Sequence, residues 1–203
     1  MALVIPGHTN PRPQEVTLEE IRDILGNCDR CELAGGRNNI VFGSGNPNAR
    51  VVIIGEAPGK NEDMTGDVFV GSAGKKLDSL LDIANLTRND VYICNVLKCR
   101  LPSNRNPHVS EVDACAPYLR EQIRSVWPDV IVCLGNFASR FILNTEAGVS
   151  NLRGQFYKTG HFDVLVTFHP AASVYRKEWQ EYLEDDFALL GQYLKDNPSK
   201  KEL

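Results

Sequence analysis

The residues best suited to chemistry in this chain are its cysteines. Of the six, Cys28 and Cys31 flank an Asp-Arg dipeptide. That spacing puts two thiols within one turn, where they can chelate a single centre. Cys99 and Cys115 follow after a gap of 67 residues, with 15 residues between them. Four thiolates in this layout suit a 4Fe-4S cluster or a structural zinc ion. A thioredoxin-like dithiol fits less well, because the pair precedes any strand–helix–strand unit. Cys94 and Cys133 lie inside apolar runs and read as core residues. In a chain expected to be cytoplasmic, six cysteines read as ligands, nucleophiles or core residues and not as disulfides.

A second group of candidates sits where apolar runs end. Gly55-Glu56-Ala57-Pro58-Gly59, Asn95 to Lys98, Gly135-Asn136 and His169-Pro170-Ala171-Ala172 each follow such a run. Gly71-Ser72-Ala73-Gly74-Lys75-Lys76 opens a helical pattern, so its backbone N–H groups and dipole favour an anion. It is not a phosphate-binding loop of the G-x4-G-K-[ST] type. Arg100 and Arg105 fall in the segment flanked by Cys99 and Cys115.

The elements that must position these groups are legible in the apolar pattern. Arg50–Ile54, Val91–Val96, Val130–Leu134 and Val164–Phe168 are short, β-branched-rich and nearly continuously apolar, as strands covered on both faces should be. Between them, Ala73–Ala84, Ser110–Val126, Asn136–Leu143 and Trp179–Leu194 read as helices. Ser110 is the expected N-cap of the second. Thr17–Leu25 opens with a capping box, Thr17 with Glu20. The alternation predicts a three-layer α/β/α fold around a central, mainly parallel four-stranded sheet. In such a sheet ligands bind at the carboxyl ends of the strands, which is where the polar groups gather.

Composition bounds the rest. With 203 residues, 42% apolar and 24% charged, the chain reads as one domain, residues 1–203, with flexible ends at about 1–13 and 196–203. Only 16 Gly and 11 Pro exclude collagen-like and disordered classes. No run approaches 18 apolar residues and no secretory signal is visible, so a membrane partner is not expected. The formal net charge of −4 argues against non-specific nucleic-acid binding. Lys98, Arg100 and Arg105, close together with no acid between them, nevertheless suggest a basic face.

These blocks together resemble the family 4 uracil-DNA glycosylases. Gly55 to Gly59 with Glu62 and Asp63, then Val68-Phe69-Val70-Gly71, is similar to the family's first motif. Asn95 with Lys98-Cys99-Arg100 and Asn104 to Pro107 is similar to its central block, and His169 to Ala172 to its second active-site motif. The resemblance runs from about residue 18 to residue 194. It implies hydrolysis of the N-glycosidic bond of deoxyuridine in DNA. It implies a 4Fe-4S cluster on Cys28, Cys31, Cys99 and Cys115. It implies Asn95 as the uracil reader, Phe69 as the stacking residue, Gly55 and Gly59 as pocket glycines, and His169 as the group on uracil O2. Backbone groups near Glu56 and Ala57 would place the water, and Glu62 would shape the pocket near uracil C5. Ser72, Gly74, Lys75, Arg100, Arg105, Ala172, Val174 and Arg176 would meet DNA, single- or double-stranded. The expected protein is a monomer without a recognisable clamp-binding peptide.

Three departures bear on this. The wider superfamily often has Asp where this chain has Ala57, so leaving-group stabilisation should carry much of the rate. Val174 stands where family members commonly have a larger Leu. The compact Leu101–Val109 stretch lacks the basic, His-containing insertion of a covalently trapping subfamily, so no stable adduct is expected. Rival readings are a glycosylase for another deaminated base such as hypoxanthine, and a non-catalytic Fe–S or zinc module that binds nucleic acid.

Overall fold

A computed structural model describes residues 16–174, 176 and 178–199. The chain opens with helix α1 (Leu18–Leu25), whose capping box forms as expected: Thr17 N–H and Oγ1–H donate to Glu20 Oε2, and Glu20 N–H donates to Thr17 Oγ1. There follow strand β1 (Ser44–Gly45), β2 (Val51–Gly55), α2 (Lys60–Thr65), α3 (Ser72–Ile83), β3 (Val91–Asn95), α4 (Val109–Val126) and β4 (Val130–Leu134). The rest is α5 (Gly135–Leu143), α6 (Val149–Leu152), β5 (Phe156–Thr159), β6 (Phe162–Thr167), a 3-10 turn at Pro170–Val174, and α7 (Glu178–Asp196).

The four expected strands form the parallel centre of the sheet, β3-β2-β4-β6, and every residue in them is buried. The expected count of four needs correction. Among the described residues the sheet has six strands, because β1 pairs antiparallel with β3 and β5 pairs antiparallel with β6. Neither edge strand leaves an apolar run to read: β1 has two residues, and the residues of β5 are half-buried or exposed.

Three other boundaries differ from the periodicity. Helix α4 begins at Val109, one residue before the expected cap Ser110; His108 is the N-cap, and its N–H donates to Glu111 Oε2 at 2.7 Å. The short helices α2 and α6 carry too few residues to show a period. Helix α7 ends two residues past the expected Leu194. Lys195 and Asp196 complete α7, and the Asn197 carbonyl accepts from Arg50 Nη2 at 2.7 Å. The expected flexible N-terminal end lies outside the described residues, as do 200–203.

The chain steps from β2 to β3 on one side, then returns past β2 to β4 and β6 on the other. With right-handed crossovers, opposite directions of travel put the crossover helices on opposite faces. Accordingly α3 packs with α7, and α1 packs with α4. The order reverses beside β2, which is where such sheets open a crevice at their carboxyl ends. Gly55, Asn95, Leu134 and Thr167 end the four parallel strands at that edge. Among the described residues no helix is long and apolar enough to cross a membrane.

Candidate active site

A cavity of about 280 Å³ opens at this edge, lined among others by Ala57, Gly59, Glu62, Phe69, Asn95 and His169. The carboxyl ends of strands β2 and β3 bring the first motif against Asn95. Gly55 and Asn95 are register partners, and a Cβ on Gly55 would stand 2.3 Å from Asn95 Oδ1 and 3.0 Å from Phe69 Cζ. Glycine at 55 is therefore what lets the amide and the ring share this space.

Asn95 is 2% exposed, and its Oδ1 is buried without a hydrogen-bond partner. A buried orphan acceptor costs roughly 1–3 kcal/mol unless a ligand satisfies it. Its backbone carbonyl is fixed by Lys98 Nζ–H at 2.6 Å. Lys98 is 1% exposed, so it is part of the scaffold and not of a basic face.

Phe69 is buried with its ring stacked against the His169 ring, centroids 5.7 Å apart at 26°. His169 follows β6 and is held at Nδ1, which accepts from the Ala171 N–H at 3.2 Å. That bond fixes the neutral tautomer, with the proton on Nε2. Burial pushes the imidazole down to about 4, opposed by the nearby Glu62 carboxylate. His169 is a neutral N–H donor at pH 7.

Glu62 lines the cavity but its Oε1 is committed, accepting from Val70 N–H and Gly71 N–H, both at 2.9 Å. Gly59 leaves room for this carboxylate, since a Cβ there would stand 2.6 Å from Glu62 Oε2. Its neighbour Asp63 is also occupied, accepting from Asn38 and Asn39 and tying the segment after Cys31 to α2. Glu56 points elsewhere. It lines a second cavity beside His169, with Asn136, Ser150 and Ala172, and burial raises its carboxyl above the ordinary range. Backbone carbonyls at this turn are partly used: Gly55 O accepts from Val96 N–H and Glu56 O from Leu97 N–H.

The four cysteines converge below this turn. Cys31, Cys99 and Cys115 pack in one small core with Leu33, Leu97 and Leu101, and Cys28 joins the neighbouring core of Ile21, Leu25 and Phe42. All are free thiols, and burial pushes Cys99 up to about 11 and Cys115 up as well. Among the described residues no three of these sulfurs lie within 4.8 Å of one another. The four thiols, clustered in two adjoining small cores, are of the kind that holds a thiolate-ligated metal centre. Donors already face it: Lys98 N–H reaches Cys115 Sγ at 3.3 Å and Arg37 Nη1–H reaches Cys99 Sγ at 3.6 Å.

The expected DNA-facing residues divide. Ser72 and Lys75 are exposed at the start of α3, with Ser72 on the cavity rim. Ala172 is half-buried in the 3-10 turn, and Arg176 is exposed beside Trp179 and Glu178. Val174 ends that turn, and its side chain lies outside the described set. Two of these residues have other partners within the fold. Gly74 is buried, and a Cβ there would stand 1.7 Å from the Phe69 carbonyl oxygen, so it is a packing glycine. Arg105 is bound through both Nη atoms to buried Glu111, whose carboxyl it pulls down to about 2. Arg100 is half-buried, with its Nε sequestered from solvent. Sequence reading also passed over Arg88, which donates to the Val68 and Phe69 carbonyls. Its position in a turn after α3 gives no sequence signal of that contact.

Residues 42–194 match the family described as the uracil DNA glycosylase superfamily. The chain is 43% identical over 180 residues to a type-4 uracil-DNA glycosylase of Archaeoglobus fulgidus, covering 85% of this chain and 90% of that one. It is 40% identical over 190 residues to one of Saccharolobus solfataricus, covering 89% and 88%. A Thermotoga maritima type-4 uracil-DNA glycosylase is 42% identical over 160 residues, covering 78% and 83%.

Proposed function

Since the chain belongs to the uracil DNA glycosylase superfamily, in its type-4 branch, we infer that it is a uracil-DNA glycosylase that releases uracil from DNA and leaves an abasic site for base-excision repair. The observation that carries this reading is that Asn95, whose Oδ1 is buried without a partner, lines a cavity together with an aromatic ring and a neutral imidazole. Uracil offers N3–H as donor and O4 as acceptor on one edge. A single side-chain amide satisfies both, with Oδ1 accepting and Nδ2–H donating. Cytosine reverses that pattern and leaves both groups unmatched.

Phe69 stacks the flipped base, and Gly55, Gly59 and Ala57 keep the pocket open. As the C1′–N1 bond breaks, charge gathers on uracil O2, where the His169 Nε2–H donates. A water placed by backbone groups near Glu56 and Ala57 bonds through its oxygen to C1′ and loses its proton to solvent, while stabilisation of the leaving uracil carries much of the rate. The uracil anion takes a proton from solvent after release. Glu62 forms the wall near uracil C5 while holding the Val70 and Gly71 amides. Ser72 and Lys75 at the start of α3, the turn through Ala172 and Val174, Arg176 and the Arg100 segment carry the DNA backbone, single- or double-stranded. We propose that the chain acts as a single-domain monomer in the cytoplasm, as a DNA-repair reading of the sequence expects.

Cys28, Cys31, Cys99 and Cys115 hold a 4Fe-4S cluster. When bound, the cluster cross-links the segment after α1 to the segment around Cys99, and the cross-link is structural. Closing a loop of 67 residues is worth about 4 kcal/mol. Cys99→Ser is therefore expected to lose iron and the absorbance near 400 nm, and to lower Tm by roughly 10 °C. Iron-free protein with wild-type Tm would contradict this.

The reaction is tested with an oligonucleotide carrying one uracil and end-labelled. Wild type should yield an abasic site that breaks only after alkali. Strand breakage without alkali would contradict the monofunctional reading, and an intact strand after alkali would contradict the activity.

A further inference from the structure

The Phe69 backbone is left-handed, with φ +52°. Bulky residues rarely take that conformation, and it persists only where surrounding groups over-determine it. Here two side chains of opposite charge hold the segment from opposite sides. Arg88 donates from Nη1 to the Val68 carbonyl at 3.1 Å and from Nη2 to the Phe69 carbonyl at 2.6 Å. Glu62 accepts the next two amides, Val70 and Gly71, at 2.9 Å each. The cation takes the oxygens, the carboxylate takes the N–H groups, and Gly74 leaves the space into which the Phe69 carbonyl turns. Arg88 is itself aimed by Asp78, which accepts from its Nε at 2.6 Å.

From this geometry we infer that Arg88, oriented by Asp78, is a positioning residue that sets the plane of the Phe69 ring for the flipped base. The inference rests on the reading of Phe69 as the stacking residue. Arg88 touches neither base nor sugar and acts through the two carbonyls. Its ion pair with Asp78 is exposed on both sides, 35% and 49%, and such pairs alone contribute little. The forked contact to two adjacent carbonyls is what matters. A guanidinium can make it and a lysine ammonium, a single point charge, cannot reproduce its geometry.

The test is steady-state kinetics on uracil-containing single-stranded DNA with wild type, Arg88→Met, Arg88→Lys, Asp78→Asn, Phe69→Leu and the double variant Arg88→Met/Phe69→Leu. Stacking on one aromatic sets the scale, so Arg88→Met should raise KM by about 5–20-fold with kcat changed less. Arg88→Lys should resemble Arg88→Met, and Asp78→Asn should raise KM by about 2–5-fold, since it loosens the same fork. The double variant should equal Phe69→Leu alone, because the ring that Arg88 orients is gone. A purely structural arginine would lower Tm and leave KM unchanged, and an arginine that acts independently of the ring would raise KM by the same factor in the Phe69→Leu background; either result overturns the inference. If Arg88→Met does not fold, Asp78→Asn decides: wild-type KM there overturns it. A Phe69→Leu enzyme with wild-type KM, or a wild type inert on uracil, instead refutes the reading on which the inference stands.

Discussion

Asn95→Ala is expected to lower kcat/KM for uracil in single-stranded DNA by about 10³-fold or more. Sites built to hydrogen-bond one edge of a substrate discriminate by factors of this size, because the alternative leaves buried polar groups unpaired. The conditions are met here. The amide is 2% exposed, its oxygen has no protein partner, and Gly55 clears the space before it. The Asn95 carbonyl is pinned by Lys98, so the side chain cannot drift to a new register. Iron content and Tm should stay at wild-type values, since Oδ1 makes no hydrogen bond within the folded protein. Single-turnover rates check this, and a loss smaller than tenfold would contradict it.

His169→Ala is expected to lower kcat by about 10²–10³-fold with little change in KM, as for loss of one donor to a developing oxyanion. The same imidazole has a pH signature. Its folded-state value, about 4, lies below the ordinary 6.5, so it stays neutral from pH 8 down to about 5. Between about 4 and 6.5 the unfolded chain binds a proton that the folded chain refuses. This group's contribution to stability therefore falls as pH drops through that window and is complete above it. NMR titration of His169, assigned by comparison with the alanine variant, checks the value. A midpoint near 6.5, or full kcat in the alanine variant, would contradict the assignment of a neutral donor.

The four central strands and the convergence of Gly55, Asn95 and His169 were readable because each rests on local signals. A continuous apolar run marks a strand buried on both faces, and the polar group after it marks the carboxyl end. The cysteine set was readable from spacing, which leaves zinc and a 4Fe-4S cluster both open. What stayed hidden depends on pairing across the fold. Ser44–Gly45 becomes a strand only because β3 offers an edge. Arg105 looks like a phosphate ligand until Glu111, six residues on, is seen to occupy both its Nη atoms. Lys98 looks basic and exposed in sequence, yet lies buried against the Asn95 carbonyl. Glu62 reads as a pocket-shaping acid, and its two amide partners, eight and nine residues away, could not be read from sequence. Gly74 reads as part of an anion loop, whereas its missing side chain is explained by the turned carbonyl of Phe69.

The most direct test of the pocket is the identity of the released base. Iron-loaded wild type is incubated with four single-stranded oligonucleotides that differ at one position, carrying uracil, cytosine, thymine or hypoxanthine, and the free base is quantified over time. The Asn95 amide, the Phe69 ring and the wall at Glu62 predict release of uracil at least about 10³-fold faster than of the other three. Release of hypoxanthine or cytosine at a comparable rate, or no release of uracil, would contradict the assignment of Asn95 as the reader of the uracil edge.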